Sequence, residues 1–152
     1  MLGKVEQLTE PLHQELKVLH DYWRGKKRSA KAPSPADIRP EELAPMLTYL
    51  ALYDVLDGDY RVRHWGTGLV RAYKGDCTGK LMSECDLDGI NAQLREQLAE
   101  VVRECRPNVI HAKFAKETDG RYLAYERIAL PLSADGKVVS LILCGYHVER
   151  AS

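Results

Sequence analysis

Few residues in this chain have the type and setting for chemistry. Glu126 lies in the run Tyr122 to Leu132, where alternation places Tyr122, Ala124, Glu126, Ile128, Leu130 and Leu132 on one face. A carboxylate on an apolar face needs a partner or a polar ligand. In an apolar pocket its pKa would rise toward that of a general base. Pairing with Arg61, Arg63 or Arg127, or a position beyond the core edge, is the structural alternative. His64 shares a face with Tyr60 and Val62, opposite Arg61, Arg63 and Trp65, and could orient a ligand, bind a metal or assist Glu126. Trp65, Tyr73 and Tyr125 are suited either to line a small-molecule cavity or to fill a core, and Thr67 stands with them at a strand-to-helix junction. The candidate pocket is therefore His64, Trp65, Thr67, Tyr73, Tyr125 and Glu126.

Catalytic machinery is missing around them. Gly66-Thr67-Gly68 lacks the lysine and the Ser or Thr of a phosphate loop. No Ser-His-Asp order can be argued, so no catalytic residue is assigned. His13 and His20 are seven residues apart, too far for adjacent metal ligands. The four cysteines, Cys77, Cys85, Cys105 and Cys144, form no CxxC pair and fit no zinc spacing. In a reducing cytosol they are expected as free thiols. Cys105 and Cys144 fall on apolar faces, and Cys77 and Cys85 in loop text.

The elements that must position these residues follow from periodicity. Val5, Leu8, Leu12, Leu16, Leu19 and Trp23 recur at helical spacing; Pro11 sets the start of the regular helix near Thr9, and Gly25 its end. Leu8, Leu12, Leu16, Leu19 and Trp23 form an apolar stripe that either covers the chain's own sheet or pairs with a second copy; this helix is the candidate interaction surface. The run from Arg24 to Lys31 is basic and lacks aromatics, and reads as a solvated connector with phosphate contact as the alternative. Residues 1–36 thus form a helix with a basic, proline-containing linker, and 37–152 the main domain. A short helix follows Asp37, kept short by Pro45. Strands are expected over Leu47–Val55 and Tyr60–Thr67 as a hairpin, and a short helix over Gly68–Lys74. Gly66 and Gly68 are expected to supply backbone freedom at that turn, while Asp76 and Thr78 satisfy the backbone near Gly79. Asp88 caps a helix with a stripe of Ile90, Leu94, Leu98, Val101 and Cys105, stopped by Pro107. Three strands close the chain: Val109–Lys116, Tyr122–Leu132 across an Asp119-Gly120 turn, and the nearly continuous apolar run Val138–Tyr146, which suits a central strand.

A chain of 152 residues is most simply one domain. Its 22 acidic and 22 basic residues leave no global field to recruit nucleic acid or an anionic membrane. No apolar run approaches a membrane span, and charge comes too early at the N-terminus for a signal peptide, so a cytoplasmic location is expected.

Two strands, short helices, a longer helix and three strands is the layout of a PAS-type sensor. The local text agrees: Tyr22-Trp23-Arg24, Asp37-Ile38 with Pro40, Leu52 to Val55, Arg63 to Thr67, Asp76 with Thr78-Gly79, Tyr125-Glu126-Arg127 and Leu130-Pro131-Leu132. Over about Tyr22 to Tyr146 the chain resembles a bacterial PAS domain family of stand-alone PAS proteins found largely in alphaproteobacteria. The resemblance implies an α+β fold, a five-stranded antiparallel sheet flanked by helices with a pocket between them, here with an extra N-terminal amphipathic helix. It implies a regulatory role: sensing a small-molecule ligand, acting as a protein-interaction adaptor for a partner such as a signalling kinase or regulator, or both, as a homodimer. It implies no fixed cofactor. Flavin sensors of this fold carry an Asn-Cys-Arg-Phe-Leu-Gln stretch that Cys77 and Cys85 lack, and haem sensors a histidine on the long helix, where none occurs between Gly66 and Val109. Haem and flavin are therefore disfavoured, and no nucleic-acid or membrane partner is expected. A small enzyme using Glu126 as general base is the alternative.

Overall fold

A computed structural model describes residues 2–85, 90–115 and 122–151. Six strands, β1 (Leu2–Leu8), β2 (Leu50–Val55), β3 (Tyr60–Trp65), β4 (Asn108–Ala115), β5 (Tyr122–Leu132) and β6 (Leu141–Ala151), form one antiparallel sheet in the order β1-β4-β5-β6-β2-β3. Three α-helices, α1 (Gln14–Lys27), α2 (Thr67–Tyr73) and α3 (Ile90–Glu104), flank it, with 3-10 segments at Pro35–Asp37, Pro40–Tyr49 and Met82–Glu84. The expected Asp88 cap and Asp119-Gly120 turn lie outside the described residues.

The sixth strand is the main departure from expectation. Val5 and Leu8 fit a helical stripe in sequence, yet Leu2–Leu8 pairs with β4 from Leu2↔Ala115 to Leu8↔Val109. A five-stranded sheet would leave β4 as an open edge of unpaired N–H and C=O groups, and β1 covers it. Gly3 suits this position: a Cβ there would meet the Phe114 ring at 2.2 Å. Helix α1 consequently starts at Gln14 rather than near Thr9, and it runs past Gly25 to Lys27, ended by Arg28 with a positive φ of 51°.

Leu47, Thr48 and Tyr49 belong to the 3-10 segment rather than to β2. Pro45 lacks an N–H and its ring collides with the carbonyl four residues back in an α-helix; tighter turns tolerate it better. Strand β6 begins at Leu141, later than Val138, because Asp135 accepts the Lys137 and Val138 N–H groups and Ser133 Oγ donates to the Val138 carbonyl, closing a turn. As its apolar text implies, β6 is central, paired with β5 and β2.

The sheet separates two cores. One faces α2 and α3 and contains Tyr53, Val62, Trp65, Leu69, Tyr73, Leu98, Tyr125 and Tyr146. The other lies under α1 and contains Leu16, Leu19, Trp23, Leu43, Ile128, Leu130, Leu132 and Leu143. Full burial of such a side chain contributes about 1.5–3 kcal/mol, so Leu16, Leu19 and Trp23 hold α1 firmly on its own sheet. Trp23 adds a hydrogen bond from Nε1 to the Pro131 carbonyl at 2.8 Å. Leu8 sits on β1 and Leu12 precedes the helix, 66% exposed.

Candidate functional site

On the α2–α3 side, three of the expected pocket residues meet. Trp65 ends β3, Tyr73 ends α2 and Tyr125 lies on β5, with ring centroids 5.1 Å apart for Trp65–Tyr73 and 6.3 Å for Tyr73–Tyr125. Tyr146 stands 5.4 Å from Tyr125, and its hydroxyl is 3.4 Å from that of Tyr53. Tyr146 and Tyr53 join this cluster beyond the expected residues, placed inward by strand alternation in β6 and β2. Burial holds the hydroxyls of Tyr53, Tyr73, Tyr125 and Tyr146 above the usual phenol range, so all four are neutral donors. Burial likewise pushes the Cys144 thiol up to about 12. Arg127 projects among them from β5, between its cross-strand neighbours Ile110 and Tyr146. Its guanidinium donates to Gln97 Oε1 at 2.7 Å and to Asn108 Oδ1. The space left beside Tyr53, Val62, Trp65, Met82 and Leu94 is about 10 Å³, room for about one water.

The other expected residues are elsewhere. A bulge shifts the β2–β3 register, with Leu52 opposite His64 and Tyr53 opposite Val62, so Arg63 has no counterpart. That extra residue corrects the expected alternation: Trp65 joins Tyr60 and Val62 in the inner core, while His64 pairs with Leu52, which packs against the α1-side core. Thr67 is exposed and bonds Thr48 Oγ1 at 2.8 Å. Gly66 and Gly68 carry no positive φ. Glycine is needed there for space, since a Cβ on Gly66 would lie 2.3 Å from the Thr48 carbonyl oxygen.

Glu126 is fully buried, on the face toward α1. None of the three arginines considered is its partner. Its Oε2 accepts the backbone N–H of Leu12 at 3.0 Å and of His13 at 3.1 Å, and its Oε1 lies 3.2 Å from His13 Nδ1. His13 is the N-cap residue of α1 and makes no side-chain cap itself; the carboxylate of β5 supplies negative charge where the helix dipole favours it. Around it, His13 stacks on His147 at 3.7 Å, His147 bonds Glu15, and His111 lies 2.8 Å from Glu149. This histidine–glutamate patch was invisible in the sequence because its members come from α1, β4, β5 and β6. Among the described residues no group of three or more is arranged to hold a metal ion. Burial pushes the Glu15 carboxyl up, but hydrogen bonds from the backbone and His147 and the charges of His147 and His13 outweigh it, leaving a lowered pKa. A lowered folded-state pKa stabilises the fold above the unfolded value of 4.5 and is lost as pH falls through the folded one. Acid titration followed by circular dichroism is expected to show less acid sensitivity below that pH in Glu15→Gln than in wild type.

A groove of about 360 Å³ opens beside α1, floored by Leu16, Leu19, Leu50 and Gly145, with Glu15 and His147 at its edge. Gly145 lets α1 approach: a Cβ there would sit 2.4 Å from Leu19 Cδ2. Part of the basic run is engaged locally, Lys26 with Glu42 at 3.2 Å and Arg24 with Asp21 at 3.4 Å.

Cys77 and Cys85 are paired as a disulfide with Cα atoms 5.9 Å apart, correcting the expectation of four free thiols; Cys105 and Cys144 are free. The fold brings Cys77 and Cys85 together within the segment that follows α2, which spacing alone does not show. Thiol titration of the unfolded protein is expected to count two free groups, and four after dithiothreitol. Reduction is expected to cost about 2 kcal/mol of stability from the closed loop.

Among the described residues no helix is long and apolar enough to cross a membrane. No curated protein matches the chain. The solved structure of an RNA-binding Light-Oxygen-Voltage receptor matches at 13% identity and TM-score 0.49, over 97% of this chain and 38% of that one. This chain thus spans well under half of that receptor, and the RNA binding is that receptor's own. The comparison lends no support to the expectations against flavin and nucleic acid. The family model described as "PAS domain" matches residues 12–146, from the entry of α1 through β2 to β5 and into β6 with β1 outside the match, and the chain belongs to the PAS domain family.

Proposed function

We propose that this PAS domain is a regulatory module that senses a small molecule between its sheet and helices α2 and α3, and reports it to a protein partner. The observation that carries this reading is the polarity of that layer. A core built for packing alone gains nothing from burying four tyrosine hydroxyls and a guanidinium, whereas ligand sites combine aromatic walls with a few convergent polar groups. Helix α2, seven residues long and bearing Tyr73, is the element whose displacement would enlarge the space.

An adaptor role is the second reading, favoured by the groove beside α1, whose apolar floor suits a partner's apolar side chains. A homodimer through Leu16, Leu19 and Trp23 would require stripping α1 from its sheet, so pairing of two copies would use another surface. The geometry does not favour the enzyme alternative: Glu126 is engaged by the N-terminus of α1, and His64 lies three strands away in register with Leu130, four residues along β5 from Glu126.

Native mass spectrometry of freshly purified protein, compared with the denatured mass, tests the sensing reading. A mass lost on denaturation supports it. A bare protein mass, with no added small molecule shifting the thermal transition, overturns it in favour of the adaptor. The same spectrum reads monomer or dimer.

A further inference from the structure

Arg127 is fully buried, yet its contacts are neutral. Nη1 bonds the Gln97 amide oxygen and Nη2 that of Asn108, while Nε has no hydrogen-bond partner. Among the described residues no carboxylate forms an ion pair with it. Glu126, its chain neighbour, points to the opposite face of the sheet and caps α1. A guanidinium cannot discharge by losing its proton, and a buried charge without a counter-charge is among the costliest features a core can hold.

Among the described residues the surroundings hold no carboxylate paired with Arg127, but they are rich in hydroxyls. The hydroxyls of Tyr53, Tyr73 and Tyr125 and the Cys144 thiol all lie within the field of Arg127, which favours their ionised forms, and burial outweighs it in each. Among the described residues the layer therefore presents one fixed positive charge with neutral hydroxyls around it. An anion entering there would gain the Nε–H, which has no hydrogen-bond partner, while the tyrosine hydroxyls, already bonded to one another, would have to exchange partners to reach it.

We infer that Arg127 anchors a binding site for a small organic monocarboxylate in the layer between the sheet and helices α2 and α3. The inference rests on the sensing role proposed above and names its ligand class. One unpaired charge matches a monoanion; a phosphate monoester carries nearly two charges and calls for more cations than this layer offers. The nearby space, lined by Tyr53, Val62, Trp65, Met82, Leu94 and the Cys77–Cys85 disulfide, reaches Arg127 only through Tyr53, and its walls accept an apolar body and no second charge. The space is about 10 Å³, so binding displaces side chains, with Tyr73 on the short α2 the group that gives way.

The test is an NMR titration of the whole protein with propionate and with benzoate, read at the Arg127 Nε–H signal, which Arg127→Lys identifies by its disappearance. Propionamide and benzamide, of the same shape without the charge, are titrated in parallel. The expected result is a saturable downfield shift with an acid, and binding weaker by about tenfold or more for its amide. Arg127→Met is expected to lose acid binding while keeping the fold. Amides that bind as tightly as the acids, or a retained ligand indifferent to Arg127→Met, overturn the carboxylate inference and leave the sensing reading standing. Absence of any shift with the acids, together with a lower melting temperature in Arg127→Met, overturns the inference by showing a purely structural arginine. Because the acid–amide comparison is made on wild type, it holds even where a variant fails to fold.

Discussion

Replacing Glu126 with alanine is expected to lower the melting temperature by about 6–12 °C. The carboxylate accepts the Leu12 and His13 N–H groups from a fully buried position. Bonds to a charged acceptor contribute about 1.5–3 kcal/mol each, and partial exposure of the donors brings the sum to about 3 kcal/mol. For a chain of this size one kcal/mol corresponds to about 2–4 °C. Glu126→Gln keeps an acceptor of the same shape and is expected to lose about 1 kcal/mol. Hydrogen exchange distinguishes this local capping role from general damage: amides in the first turn of α1 should exchange faster, while those of α3 keep their protection. Equal loosening of both helices would show that Glu126 acts on the sheet rather than on α1.

The second large effect is expected at Gly66. An added Cβ would meet the carbonyl oxygens of Thr48 at 2.3 Å and Leu47 at 2.5 Å, both of them backbone. No side chain can swing aside to relieve this, so the entry to α2 must separate from the end of the 3-10 segment, straining the Gly66 N–H bond to the Leu50 carbonyl at 2.9 Å. Gly66→Ala is expected to cost about 3 kcal/mol, the upper part of the range for overpacking. Gly25→Ala provides the contrast, since nothing lies within 4 Å of its Cβ position in α1. There the helix gains about 0.5–1 kcal/mol from the lost glycine entropy. Urea unfolding of the two variants beside wild type separates the cases; equal midpoints would show that the chain around Gly66 relaxes freely.

Legibility in the sequence followed how local each feature is. The β2–β3 hairpin, the α3 stripe and the central place of β6 rest on periodicity and turn residues within a few positions, and all were readable. Strand β1 was not, because Val5 and Leu8 satisfy both a helical and an extended pattern, and the choice depends on the open edge of β4, more than a hundred residues away. His64 and Trp65 exchanged faces for a similar reason. Alternation counts residues, and a bulge adds one that only the pairing with β2 reveals. Trp65, Tyr73 and Tyr125 are visible in the sequence as large aromatics, but their meeting with Tyr53, Tyr146 and Arg127 requires the packed sheet.

The sequence by itself determined most element types between α1 and β6, the balance of charge and the family pattern, because each depends on side-chain chemistry and short-range spacing; the type of β1 and the faces of His64 and Trp65 it left to the sheet. Tertiary structure alone decided the partners. Glu126 could equally have met an arginine, a ligand or water, until the N-terminus of α1 was laid over β5. Arg127 could have met a carboxylate, and the sheet instead turned Glu126 to the opposite face. Burial turns such pairings into large energies, and burial arises only when segments distant along the chain close over one another.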